Sequence, residues 1–329
     1  MLDLVVLEYI TFDVFTETRF AGNPLAVVKV PPSITLTQAQ KQTIAREFNY
    51  SETVILQERD ISTIQDGDTS PEWNIGIFLT TAEIPFAGHP TIGTTCYLAR
   101  QIQAARSEET SSDRPIHGKV IAKAGPIPFT YNPTSGTSWV DVPHDVLLHD
   151  KTLSVDEGRF YGLADSIVEG FVRPPAFISL VKGMTFILTE LPSLECLRDV
   201  RAGLKDVNVD GQLNSEWHPD GTFTAFVFFV RQGRSADGAF RLRTRVVFGS
   251  TEDPATGAAS CALVTYLSLH HPEMERPEGP QRFEITQGVE IGRESFIQLD
   301  ITPDMSQTQV ERLRLGGSAV KVMEGSIFI

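Results

Sequence analysis

The chain has 329 residues, 41% of them hydrophobic, and a formal net charge of −14. That length accommodates about two domains of ~150 residues with packed cores, and the excess negative charge argues against nucleic acid or an anionic membrane as partner. An anionic ligand must then be held by local dipoles, because the overall field repels it.

Three scattered cysteines (Cys96, Cys196, Cys261) form neither a disulfide framework nor a zinc-type spacing, so no metal is expected. The start, MLDLVVLEYITFDVF, carries acids within its apolar run and reads as a strand, not a signal peptide. No run approaches the ~20 apolar residues of a membrane span, and the chain is expected in the cytoplasm.

In chain order, LVVLEYITFDVF and LAVVKV read as strands joined by a Gly22-Asn23-Pro24 turn. Residues 37–48 have helix formers behind a threonine cap and end at Asn49, a residue that tolerates the left-handed helix end. Ser51-Glu52-Thr53 leads into a strand, VILQ; a polar loop follows at 60–71, and then the strand WNIGIFLT. A helix is expected from about Pro90 to Gln103. The charged, serine-rich stretch 105–115 is the natural linker. Beyond it, KVIAKAG, IPFTY and SWVDVP read as strands, with a short helix around 155–163. AFISLVKG and TFILTEL form a hairpin, followed by a helix near 193–200. TFTAFVFFVRQ and the alternating FRLRTRVVF are strands, and an almost wholly apolar helix spans about 254–270. RFEITQG, SFIQLDI and AVKVMEGSIFI close the chain as strands.

An echo runs through this pattern. Gly-His-Pro-Thr-Ile-Gly at 88–93 and Glu-Asp-Pro-Ala-Thr-Gly at 252–257 each place a polar residue before proline and each open a small-residue helix. A helix apolar nearly all round is buried. The fold class is therefore α+β: two similar lobes, each a curled, mostly antiparallel sheet around a central helix. The expected boundaries are 1–110 and 117–315. Neither a dinucleotide-binding glycine motif nor a phosphate-loop lysine motif is present.

Glu52 stands at a helix-to-strand junction suited to general acid–base work, though a solvated or backbone-capping glutamate reads the same. His89 fits a helix-entry histidine as well as a ligand contact, and Asp253 fits an N-cap. Gly88 and Gly257 permit close backbone approach at helix starts whose free N–H groups and dipoles favour a carboxylate. Cys96 and Cys261 raise a rival, a two-thiol amino-acid racemase, but each lies about two turns inside its helix, ~10 Å from the entrance.

FDVFTETRFAGNPLAVV, IAREFNYSETVIL, IPFAGHPTIGT, TEDPATGAASCAL, QGVEIGRESFIQLDI and GGSAVKVMEGSI, in that order and over nearly the whole chain, resemble the PhzF-like (phenazine-biosynthesis) family. The resemblance implies a diaminopimelate-epimerase-like fold with the active site between lobes. It also implies a C-terminal strand, about 316–329, that returns to the first lobe, and a homodimer. It implies a cofactor-independent isomerase of a small carboxylic acid, of the trans-2,3-dihydro-3-hydroxyanthranilate isomerase type. In that scheme Glu52 is the acid/base, His89 and Asp253 orient substrate, and Gly88 and Gly257 lie where its carboxylate is held. The alternatives are an amino-acid racemase or epimerase and a non-catalytic small-molecule-binding member.

Overall fold

The computed structural model describes residues 5–59, 71–105, 113–205, 207, 213–217, 222–275 and 279–329. Most of the expected loop 60–71, the middle of the expected linker 105–115 and parts of 205–220 lie outside the described residues. The chain divides into two compact units: residues 1–142 with 316–329, and residues 143–315.

Unit 1 opens with β1 (Val6–Val14) and β2 (Asn23–Val30), an antiparallel pair. Asn23 and Pro24 already belong to β2, so of the expected turn only Gly22 lies in the connection, residues 15–22, which it closes at φ +65°. A Cβ there would lie 2.3 Å from the Val14 carbonyl oxygen. Gly22→Ala is therefore expected to cost roughly 1–3 kcal/mol, read as a lower urea midpoint at unchanged slope.

Helix α1 (Gln38–Phe48) starts in a reciprocal capping box between Thr37 and Gln40 and stops at Asn49, which takes φ 53°. β3 (Thr53–Gln57) then pairs parallel with β2, β4 (Glu72–Phe78) antiparallel with β3, and the short β5 (Glu83–Ile84) with β4. Helix α2 (Gly88–Ala105) follows, then β6 (Ile116–Ala122), β7 (Gly125–Asn132) and β8 (Thr137–Asp141). β6 pairs parallel with β4, and β7 and β8 continue the sheet antiparallel. That pairing binds 116–141 to unit 1, so the boundary falls after Val142 and not in the expected linker at 105–115.

α2 touches β1, β2, β3, β6, β7 and β8, and so forms the centre of the sheet around it. Small residues permit this closeness: a Cβ on Gly93 would lie 2.5 Å from Leu25 Cδ2 and 2.8 Å from Val14 Cγ2.

Unit 2 begins with β9 (Leu147–Thr152) and the short helices α3 (Val155–Phe160) and α4 (Asp165–Val168). The hairpin β10 (Ala176–Val181) and β11 (Met184–Glu190) leads to α5 (Leu194–Asp199), capped by Ser193. β12 (Phe223–Arg234), parallel to β11, pairs antiparallel with β13 (Phe240–Phe248), which turns into the three-residue β14 (Thr251–Asp253). α6 (Gly257–Leu269) is buried on every side, touching β10, β11, β15 (Gln281–Gln287) and β16 (Ser295–Pro303). β15 runs parallel to β13 and antiparallel to β16. β17 (Val310–Gly317), not expected from the sequence, carries the chain out of the unit, which ends at Leu315 within this strand. The chain then re-enters unit 1 as β18 (Ala319–Phe328), antiparallel to β1.

Each unit is thus a mostly antiparallel sheet with one buried helix against it. Among the described residues no helix is long and apolar enough to cross a membrane.

Candidate active site

The parallel register of β2 and β3 sets Thr53 opposite Ala26, which leaves Glu52 level with Leu25. The same Leu25 receives Gly93 of α2. His89 precedes Gly93 by four residues and so shares its helix face. Two long-range packing choices therefore deliver Glu52 and His89 to one place, with Glu52 Oε2 3.7 Å from His89 Nε2.

The His89 side chain is 5% exposed and that of Glu52 16%. Glu52 Oε2 itself is buried and has no hydrogen-bond partner among the described residues. Burial pushes the Glu52 carboxyl above the ordinary carboxylate range, against the opposing pull of a Ser51 hydrogen bond. A carboxyl so placed is a poor resting anion and a good proton carrier.

Gly88 and His89 lie inside the first turn of α2, and Pro90 is its third residue rather than its first. Proline is tolerated there because none of the first-turn N–H groups has an intrahelical acceptor.

In unit 2 the expected N-cap shifts. Asp253 ends β14, Pro254 stays outside the helix, and Thr256 is the N-cap of α6. Asp253 instead accepts a hydrogen bond from the Thr256 hydroxyl, Oγ1 to Oδ2 at 2.6 Å. With its hydroxyl so engaged, Thr256 makes no side-chain cap to α6, which begins at Gly257.

Sequence reading singled out Glu252 only as part of the echo and did not mark Arg245. Glu252 is 6% exposed and forms a two-point ion pair with Arg245, Nε to Oε1 at 2.9 Å and Nη2 to Oε2 at 2.6 Å. Arg245 Nη1 also donates to the carbonyls of Leu197, Arg198 and Val200 at the end of α5. The glutamate of the Glu-Asp-Pro motif is thus an anchor that fixes the strand presenting Asp253.

Cys96 and Cys261 are completely buried. Burial pushes the Cys96 thiol up to about 11 and raises that of Cys261 as well, so neither supplies a thiolate near neutral pH. The two-thiol racemase has no chemistry to work with here.

A separate cleft of about 610 Å³ in unit 2 is lined in part by Glu190, Arg231 and Glu273. Burial raises the Glu190 carboxyl, but hydrogen bonds from His271, Arg173 and Arg231 overcome this and hold it at about 2. Arg173 and Arg231 also pair with Glu273, so this cluster satisfies itself and reads as structural.

The Phenazine biosynthesis-like protein family matches residues 12–133 and 181–325. The chain belongs to that family. An uncharacterized isomerase of Mesorhizobium japonicum is 31% identical over 98% of this chain and 99% of its own length. The trans-2,3-dihydro-3-hydroxyanthranilate isomerase of Pseudomonas chlororaphis is 28% identical over 98% of this chain and 99% of its own length. The fold agrees with the crystal structure of a Bacillus anthracis phenazine biosynthesis protein of the PhzF family. The two superpose with a TM-score of 0.73 at 19% identity, over 99% of this chain and 100% of that one. Both of these sequence relatives carry isomerase names, which sets the chain in an isomerase/racemase family.

Proposed function

We propose that the protein isomerises a small carboxylic acid without a cofactor, with Glu52 carrying the proton. The observation that carries this reading is Glu52 Oε2, buried, without a hydrogen-bond partner among the described residues and 3.7 Å from His89 Nε2. A carboxylate in that setting takes a proton from an activated carbon, spends the intermediate state neutral, which burial favours, and returns the proton to another carbon. Atoms balance, since the substrate loses and regains one proton. His89 and Asp253 orient the substrate, while the helix starts at Gly88 and Gly257 offer N–H groups to its carboxylate.

The substrate of the Pseudomonas relatives, trans-2,3-dihydro-3-hydroxyanthranilate, is the first compound to test, beside a panel of small β,γ-unsaturated carboxylic acids. With substrate deuterated at the carbon that gives up the proton, the label is expected to move through Glu52 to the receiving carbon, and in deuterated water solvent deuterium enters there only where the proton on Glu52 exchanges before it is returned. Full isomerisation by Glu52→Gln, or no turnover across the panel, overturns the reading.

A further inference from the structure

Gln287 is the last residue of β15 and is completely buried. A carboxamide offers two N–H donors and an oxygen that accepts twice, and in Gln287 all are taken. Nε2 donates to the Asp253 backbone carbonyl at 2.7 Å and to Thr256 Oγ1 at 3.1 Å. Oε1 accepts from the Thr256 backbone N–H at 3.2 Å and from the Thr244 hydroxyl at 3.5 Å. The amide orientation follows from its partners, since a carbonyl only accepts and a backbone N–H only donates. Three of these four bonds fall on residues 253–256, the segment between β14 and α6. Gly288 tightens the same corner: at φ +77°, a Cβ on it would lie 2.6 Å from the Pro254 carbonyl oxygen.

We propose that Gln287 is a positioning residue of the reaction: it fixes the backbone of Asp253 and keeps the Thr256 hydroxyl turned to Asp253 and away from its own helix. This rests on the reading above that Asp253 orients substrate. An N-cap threonine ordinarily bonds a first-turn N–H of its helix. Here Thr256 donates to Asp253 Oδ2 and accepts from Gln287 instead, which aims the Asp253 carboxylate and leaves the α6 start uncapped by that side chain. Removing the carboxamide frees Thr256 to cap α6, and Asp253 then loses both its backbone tether and its hydroxyl partner.

The test compares wild type, Gln287→Met, Asp253→Asn and the double variant. It measures kcat and KM with trans-2,3-dihydro-3-hydroxyanthranilate, and calorimetric affinity for 3-hydroxyanthranilate as an unreactive carboxylate probe. Gln287→Glu keeps the shape and the acceptors but loses both N–H donors, and serves if the methionine variant fails to fold. Either variant is expected to lower kcat/KM by about 100-fold, the cost of a misplacement of ~1 Å, mostly in kcat, and to weaken the probe. The double variant is expected to be scarcely worse than Asp253→Asn alone, because both changes act through one group. A folded Gln287 variant that loses thermal stability but keeps wild-type kcat/KM and probe affinity overturns the proposal while Asp253→Asn still shows a loss. Losses that multiply in the double variant overturn it too. Wild-type turnover in Asp253→Asn refutes the reading of Asp253 itself, and the role of Gln287 with it.

Discussion

Glu52→Gln is expected to leave a folded protein whose turnover falls by about 10²–10⁴-fold, the usual contribution of a positioned proton-transfer group. The amide preserves the shape of the side chain but takes up no proton, so the loss appears in kcat with little change in KM. Single-turnover kinetics on the variant check this, and activity near wild type rules Glu52 out as the proton carrier. The same substitution has a second, opposite effect. The Glu52 carboxyl is raised by burial, so the native state binds this proton more tightly than the unfolded chain does. Between the unfolded pKa and the raised native one, stability falls as pH rises. Above that window the native state bears the full cost of a buried charge, and below the ordinary carboxylate range of about 4.3 it bears none. The neutral glutamine escapes this cost. The variant should therefore match or exceed wild type in thermal stability at neutral pH, with the gap closing as pH drops below that range. Loss of activity with gain of stability is what a strained functional carboxylate predicts and what a structural one does not.

The parts of this fold legible in the sequence are those whose causes are local. Thr37, Gln40 and Asn49 carry both ends of α1 within one short segment, and the helix appears where its caps place it. The Ser-Glu-Thr junction and the Gly-His-Pro entry stand out because they interrupt apolar runs. What stayed hidden depends on distant partners. Pro254 suggested a helix start, but Gln287, 31 residues away from Thr256, holds 253–256 out of the helix and delays it to Gly257. The linker at 105–115 looked like a boundary, yet β6 returns to pair with β4, a parallel pairing that no turn signal marks. Glu252 stood out only as part of the echo and Arg245 only as one position of an alternating strand, so nothing local marked them as a buried pair, each side chain 6% exposed. Even the approach of Glu52 to His89 required the β2–β3 register and the seat of Gly93 on Leu25, neither of which has a motif of its own.

The Arg245–Glu252 pair is expected to show the largest stability effect in the molecule. Arg245→Met leaves Glu252 buried without its cation, a change that costs about 3–5 kcal/mol for a pair of this kind. It also strips the donor from the carbonyls of Leu197, Arg198 and Val200 at the end of α5. Urea unfolding checks it, with a lower midpoint at unchanged slope. Adding Glu252→Leu removes the stranded charge and should recover much of the loss, because replacing both members of a buried pair by apolar groups is often nearly neutral. Recovery stays incomplete, since unsatisfied buried carbonyls still cost about 1–3 kcal/mol. Turnover should not follow stability. Glu252 adjoins Asp253 on a strand of three residues, so a leucine there restores packing without restoring the two-point grip that aims the aspartate. A double variant that recovers much of its urea midpoint but none of its kcat separates holding the fold from aiming Asp253; recovery of both to the same degree assigns the pair to stability alone.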